Sequence, residues 1–183
     1  MILYILRHAQ TRIDQARPAH EWHLSPEGVV AANELAHSLV FKNIDCIYAS
    51  AEPKAQETAK PFSELFDLRI NTHSGLNELY RGEDTSLSQD EYLSNIRCIL
   101  QFPPIQVEGW ESPALALSRF ANAVSDIESE EYDSVLIVSH GLVLSLFFSS
   151  LLNIHESLYE RWRKLRFLSW GQISNGIVLR DLV

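Results

Sequence analysis

The chain has 183 residues, 46% hydrophobic and 21% charged, which is enough for one hydrophobic core, and we expect a single domain over residues 1–183. The formal net charge of -9 argues against nucleic acid and anionic membranes as partners. Cys46 and Cys98 show no metal-ligand spacing and the N-terminus shows no signal-peptide pattern, so we expect free thiols and a reducing, cytoplasmic location.

Short apolar runs along the chain predict β-strands. The four clearest are ILYIL (2–6), IDCIYA (44–49), LRIN (68–71) and SVLIV (134–138). A fifth run, ISNGIVLR (173–180), has a weaker strand pattern. Helical patterns stand between these runs, and the alternation favours an α/β fold with a largely parallel sheet.

The helices are predicted from their start signals. Ser25-Pro26 precedes a helix whose buried face would be the stripe Val29, Ala32, Leu35, Leu39 and Val40. Other helices are predicted to begin near Pro53, with a kink or an early end at Pro61, at Ser88 with Glu91 as a capping box, at Ser112-Pro113, and at Asn153 with Glu156.

Two further segments bear on the overall organisation. The apolar stretch 135–152 approaches the length of a membrane span, but His140 and Gly141 divide it, which favours a buried strand, turn and helix. Residues 79–112 contain two glycines and two prolines around one short helix. We expect this segment to be an excursion from the sheet that covers a site.

Charged and polar side chains follow the predicted strands. Arg7 and His8 end the first strand, and Lys54 lies one turn into the helix after the second. Glu78 follows the third strand, and His140 ends the fourth. Ligands of open α/β sheets collect beyond the carboxyl ends of the strands, where helix N-termini also point. We therefore expect these side chains to meet there.

This set of side chains suits phosphoryl chemistry. A neutral His8 can attack phosphorus, while Arg7, Lys54 and the backbone amides after His140 neutralise phosphate oxygens. Glu78 can protonate the leaving alcohol. Each residue also has an ordinary interpretation, because histidines at strand ends are commonly hydrogen-bonded turn residues and helix lysines are commonly solvated. The candidates include no paired histidines at metal-ligand spacing, so a metal site ranks low.

Six segments, in order along the chain, resemble the motifs of the histidine phosphatase superfamily, also called phosphoglycerate mutase-like. Residues 6–11 are similar to the Arg-His-Gly-(Glu/Gln)-Thr signature, and 50–59 to Ser-x-x-x-Arg-Ala-x-Gln-Thr-Ala. The others are 24–36, 76–82, 110–119 and 138–141, the last of which resembles the second histidine motif. The resemblance spans nearly the whole chain.

The resemblance implies a three-layer α/β/α fold and a metal-independent phosphatase without a cofactor. It would hydrolyse a small phosphomonoester through a phosphohistidine on His8. The implied catalytic residues are His8, Glu78 as general acid, and His140. The implied phosphate-binding residues are Arg7, Thr11, Lys54 and His140. The natural substrate and the oligomeric state stay open.

Three positions depart from the motifs. Ala9 stands for a glycine, Asp14 for an asparagine that touches phosphate in many members, and Lys54 for an arginine. Lysine replaces a planar two-pronged donor by a mobile point charge, so we predict weaker phosphate binding or slower turnover than in arginine-bearing relatives. The alternatives are a non-catalytic or weakly active phosphate-ligand-binding member and a protein-phosphohistidine phosphatase.

Overall fold

A computed structural model describes residues 1–83, 87–101, 104–154 and 158–183. In this part of the chain the strands are β1 (Ile2–Arg7), β2 (Cys46–Ala49), β3 (Ile70–Thr72), β4 (Ser134–Ser139), β5 (Trp170–Ser174) and β6 (Ile177–Arg180). They form one sheet in the order β3-β2-β4-β1-β5-β6. The first four run parallel, whereas β5 is antiparallel to both β1 and β6. The predicted, largely parallel sheet is confirmed.

Helices cover both faces of this sheet. They are α1 (Pro26–Ala36), α2 (Pro53–Phe66), α3 (Gln89–Leu100), α4 (Pro113–Glu128), α5 (Gly141–Leu151) and α6 (Leu158–Lys164). Side chains of β4 alternate between the two faces. Val135 and Ile137 pack with residues of α4 and α5, whereas Leu136 and Val138 pack with residues of α1 and α2. This alternation produces the expected three-layer α/β/α architecture.

The apolar stretch 135–152 is a buried strand, turn and helix. Every residue of β4 is buried, and His140 follows as the N-cap of α5. Among the residues that the structure describes, no helix has the length and apolarity that crossing a membrane requires.

Several local predictions are confirmed. The predicted N-caps are Ser25, Ser88 and Ser112, and Ser88 forms the capping box with Glu91. Cys46 and Cys98 are both free thiols. Glu156, the predicted partner of Asn153 in a helix cap, lies outside the described residues, as do two short pieces of 79–112.

The predicted buried stripe of α1 is largely wrong. Val29 is 53% exposed, and Leu39, which lies beyond the end of α1, is 76% exposed. The buried positions of α1 are Gly28, Ala32 and Ala36. A Cβ atom at Gly28 would lie 2.2 Å from the backbone oxygen of Gln10. Because α1 lies this close to the loop after β1, small residues make the contact and the larger ones face solvent.

Two other boundaries differ from the expectation. The helix that begins at Pro53 does not end at Pro61 but continues to Phe66. Proline has no backbone N–H, so one helical hydrogen bond is lost at Pro61, but the burial of Phe62 against the sheet outweighs this loss. The run 173–180 is a hairpin, because Asn175 (φ 49°) and Gly176 (φ 73°) form a two-residue turn between β5 and β6. Asparagine and glycine are the residues that tolerate these positive φ angles.

Candidate active site

The ends of β1 and β4 bring two histidines together. Arg7 pairs with Ser139 in the register of these strands, and the next residue in each chain segment is a histidine. The ring centroids of His8 and His140 lie 5.2 Å apart. Their exposed fractions are only 6% and 0%. Both rings are therefore held at the carboxyl edge of the sheet and shielded from water.

The ring of His8 has a defined tautomer. Its Nδ1 lies 2.7 Å from the backbone oxygen of Ala9, and because a carbonyl oxygen only accepts, Nδ1 carries the proton and Nε2 keeps the lone pair. Burial, followed by the charges of His140, Arg7 and Lys54, lowers the pKa of His8 well below its usual 6.5. His8 is thus a neutral imidazole with an unprotonated Nε2 at neutral pH, which is the form of a nucleophile.

The loop after His8 accommodates the departure at Ala9. Ala9 is fully buried and packs with Leu24 and Ala32, so its methyl group fills space beside another small residue. Its backbone N–H donates to Oγ1 of Thr58 at 3.0 Å. Thr11, the predicted phosphate ligand, lies three residues beyond His8 and pairs with Leu24 in an isolated antiparallel bridge.

Arg7 has a buried donor that the described residues leave unpaired. Its Nη1 donates to the backbone oxygen of Leu165 at 2.5 Å, and its guanidinium carbon lies 4.5 Å from the ring centroid of Phe167. Its Nε is buried without a hydrogen-bond partner in the described part of the chain. A Cβ at Gly141 would approach this Nε to 3.1 Å, so glycine there leaves room beside it. Buried donors normally have a partner, and an anion suits this one.

His140 has a similar unpaired atom. Its Nε2 lies 2.7 Å from Oγ of Ser50, whereas its Nδ1 is buried and has no partner among the described residues. Burial is the main reason why the pKa of His140 lies well below 6.5. The positive charges of nearby cations lower it further, and these are Lys54, Arg81, Arg7 and Arg119. Without bound phosphate, the ring of His140 is therefore neutral at neutral pH.

Glu78 reaches the predicted edge of the sheet, but it occupies the amides that were expected to hold phosphate. Oε2 accepts from the N–H of Leu142 at 3.0 Å, and Oε1 accepts from those of Val143 and Leu79, each at 2.9 Å. The carboxylate thereby satisfies donors at the N-terminus of α5, where negative charge is favoured.

Arg119 holds the segment that carries Glu78. It forms two hydrogen bonds with the carboxylate of Glu111, at 3.0 and 2.8 Å. It also donates to the backbone oxygens of Gly75, Asn77 and Glu78 at 2.8, 3.0 and 3.2 Å. This planar, multiply bonded arginine fixes the turn after β3.

Lys54 lies at the site with a partner that the sequence did not reveal. It is 3% exposed, and its Nζ lies 2.6 Å from Oε2 of Glu52 and 2.5 Å from the backbone oxygen of Ala19. Glu52 is 5% exposed. A glutamate just before a helix is commonly solvated, so the sequence pattern did not mark Glu52 as a site residue.

Asp14, which replaces an asparagine of the family motif, lies 3.7 Å from the exposed Arg17. The positive charge of Arg17 therefore offsets the negative charge of Asp14.

A cleft of about 1070 Å³ borders this group of side chains. Glu52 and Glu78 form part of its wall. The rest includes the aromatic residues Trp22, Tyr80, Tyr92 and Trp110. Arg81 also lines the cleft and donates to the hydroxyl of Tyr92 at 2.6 Å. The size suits a substrate considerably larger than phosphate alone.

The chain is similar to known proteins over almost its whole length. Residues 3–172 match the model of the histidine phosphatase superfamily, branch 1. The chain belongs to the histidine phosphatase superfamily. The Escherichia coli adenosylcobalamin/alpha-ribazole phosphatase is 27% identical, and the match covers 84% of this chain and 80% of that protein. The expected enzyme class, a phosphatase of the histidine phosphatase type, is confirmed.

Solved structures confirm the histidine phosphatase fold. The Bacillus stearothermophilus protein YhfR superposes with a TM-score of 0.81 at 22% identity, over 98% of this chain and 94% of that one. A mycobacterial glucosyl-3-phosphoglycerate phosphatase, solved in complex with VO3, gives a TM-score of 0.78 at 22% identity, over 100% and 98% of the two chains.

Proposed function

We propose that this histidine phosphatase hydrolyses a small phosphomonoester, without a metal ion, through a phosphohistidine on His8. The observation that carries the proposal is the hydrogen bond from Nδ1 of His8 to the oxygen of Ala9, which leaves the Nε2 lone pair free. This nucleophile lies beside two buried nitrogen atoms without partners in the described residues, Nε of Arg7 and Nδ1 of His140. A phosphate oxygen can accept from Nε–H of Arg7, and from Nδ1 of His140 once that nitrogen carries a proton.

In the first step, Nε2 of His8 forms a bond to phosphorus while the ester P–O bond breaks. The leaving oxygen keeps the bonding electrons and takes a proton from the carboxyl group of Glu78. In the second step, water attacks phosphorus, the N–P bond breaks and its electrons return to Nε2. Glu78 takes the proton that the water gives up, and phosphate leaves.

This role requires Glu78 to leave the amides of Leu142 and Val143. An entering phosphate group supplies oxygens that accept from the same N–H groups, so the two anions exchange places at the N-terminus of α5. The released carboxylate takes up a proton from solvent and, as a carboxyl group, faces the cleft, of which it already forms part of the wall. There it meets the leaving alcohol.

The cleft supports a small organic phosphate as substrate. Residues 79–112 contribute Tyr80, Arg81, Tyr92 and Trp110 to its wall, and in this proposal the segment belongs to one domain with the sheet and covers the active site. Similar proteins are named for alpha-ribazole and for glucosyl-3-phosphoglycerate. A cleft of about 1070 Å³ has room for an organic group attached to the phosphate.

The test measures release of phosphate from a panel of phosphomonoesters, with a metal chelator present, by the wild-type protein and by His8→Ala. We expect turnover that the chelator leaves unchanged and that His8→Ala abolishes. Tight binding of phosphate without turnover in the wild-type protein would instead indicate a phosphate-ligand sensor. Turnover confined to a phosphorylated histidine of another protein would indicate a protein-phosphohistidine phosphatase.

A further inference from the structure

Glu52 connects three members of the site. Its Oε2 lies 2.6 Å from Nζ of Lys54, and its Oε1 accepts from the backbone N–H of Glu78 at 2.7 Å. The same Oε1 lies 3.6 Å from Nε2 of His140. A glutamate with only 5% of its surface exposed is rare unless it is paired. Its position between a cation, a catalytic segment and an imidazole calls for a functional explanation.

The hydrogen bonds around Ser50 define the proton on His140. Oδ1 of Asn77 accepts from the backbone N–H of Ala51 at 2.9 Å, which identifies it as the amide oxygen, and Ser50 donates its hydroxyl proton to this atom at 3.0 Å. Oγ of Ser50 therefore accepts from Nε2 of His140. In the neutral ring the proton is thus on Nε2, and Nδ1 has none to donate.

With the hydrogen bonds around Ser50 kept, a deprotonated phosphate oxygen next to Nδ1 finds a donor there only if His140 gains a second proton when phosphate binds. Four cations oppose this, and they are Lys54, Arg81, Arg7 and Arg119. The ring of His8, with its centroid 5.2 Å away, is neutral and adds no charge. Two carboxylates face the same region, Glu78 at the N-terminus of α5 and Glu52 just before α2. In the proposed reaction Glu78 moves towards the leaving group, whereas Glu52 is held by Lys54 and stays beside Nε2.

We propose, on the basis of the proposed function, that Glu52 is a positioning residue that lets His140 carry a proton on both nitrogens while phosphate is bound. Nδ1–H then donates to a phosphate oxygen, and Nε2–H donates to Ser50 with the carboxylate of Glu52 as the counter-charge. The second proton comes from solvent, so phosphate binding takes up one proton. Glu52 also keeps Lys54 and the Glu78 backbone in place during the exchange.

The test follows inhibition by inorganic phosphate as a function of pH in the wild-type protein and in Glu52→Gln. Glutamine keeps the size of the side chain and an acceptor oxygen but removes the negative charge. Loss of a nearby anion lowers the pKa of His140 in the complex, so the fall in affinity with rising pH should move down by about one pH unit. At neutral pH this corresponds to about tenfold weaker binding. Phosphate itself titrates equally in all variants, so only the difference matters.

Two further variants separate this role from a purely structural one. Glu21→Gln removes a carboxylate that lines the same cleft but is exposed and lies 3.5 Å from Arg17, and its pH profile should match the wild type. Glu52→Asp keeps the charge and should retain the profile even where its affinity is lower. An unshifted profile in a folded Glu52→Gln protein would overturn the proposal.

A measurement on the wild-type protein covers the case in which Glu52→Gln does not fold. The ¹⁵N chemical shifts of His140 with bound phosphate at neutral pH should show protons on both ring nitrogens. One unprotonated nitrogen in the complex would overturn the inference. Turnover that depends on His8, measured in the same preparations, tests the proposed function separately. A neutral His140 in the complex would overturn the role of Glu52 but would not abolish this turnover.

Discussion

The two sides of the site are built in different ways. The histidine side consists of Arg7, His8 and His140 at the ends of two paired central strands, with both imidazoles at most 6% exposed. The cleft side includes loop residues and α3, and Tyr80 on this side is 44% exposed. In the proposed reaction the phosphorus chemistry therefore depends on two buried, paired central strands. The leaving group would meet a surface that can change without disturbing the sheet.

The largest effect is expected on the histidine side. His8→Ala removes the nucleophile and should lower kcat by about 10⁴-fold or more, measured by phosphate release from p-nitrophenyl phosphate. The control is His37→Ala, which removes an exposed histidine at the end of α1 and should leave kcat unchanged. Comparable turnover in both variants would remove His8 from the mechanism.

Lys54→Met should break the buried ion pair between Lys54 and Glu52. It leaves the carboxylate of Glu52 buried without its cation, which should lower the free energy of unfolding by about 3–5 kcal/mol in urea denaturation. Lys60→Met is the matched control, because its partner Glu64 lies 3.7 Å away and both side chains are more than two-thirds exposed. That change should cost about 0.5 kcal/mol or less. Equal losses in the two variants would mean that Glu52 and Lys54 are not coupled as the structure indicates.

The buried histidines also predict how stability depends on pH. Because the pKa of His8 and His140 is well below 6.5 in the folded protein, only the unfolded chain takes up protons at these rings just below that pH. The free energy of unfolding should therefore fall as pH drops below about 6.5 and gain nothing from these groups above it. His140→Gln should reduce the slope in urea denaturation series at successive pH values. An identical slope in the variant would show that the ring is not buried as a neutral group.

The smallest effect is expected on the cleft side. Tyr92→Ala removes a ring that lines the cleft and a hydroxyl group that accepts a hydrogen bond from Arg81. It should raise KM for bulky phosphomonoesters by about three- to tenfold. Inhibition by inorganic phosphate should not change. Tyr92→Phe keeps the ring and should have a smaller effect. Weaker phosphate inhibition in Tyr92→Ala would contradict the separation of the two sides.

This difference also decides what the sequence could predict. His8 and His140 were predictable because parallel strands deliver the residues that follow them to one edge, and the motif order supported the same set. Glu52 was not, since its burial depends on the packing of the segment around Ala19 against α2. Phe167, whose ring centroid lies 5.7 Å from that of His8, follows α6 in a segment without a strand signal. The exposure of Val29 in α1 was misjudged because close contact at Gly28 reverses the usual preference for large apolar side chains inside.

The position of the phosphoryl group on His8 tests the central claim most directly. The protein is mixed with a phosphomonoester and quenched in alkali, in which phosphohistidine is stable. Mass spectrometry then locates the modified residue, and ³¹P NMR distinguishes the two ring isomers. Because Nδ1 of His8 donates a hydrogen bond to the backbone oxygen of Ala9, the account predicts phosphate on Nε2 of His8. Phosphate on Nδ1, or on any other residue, would contradict it.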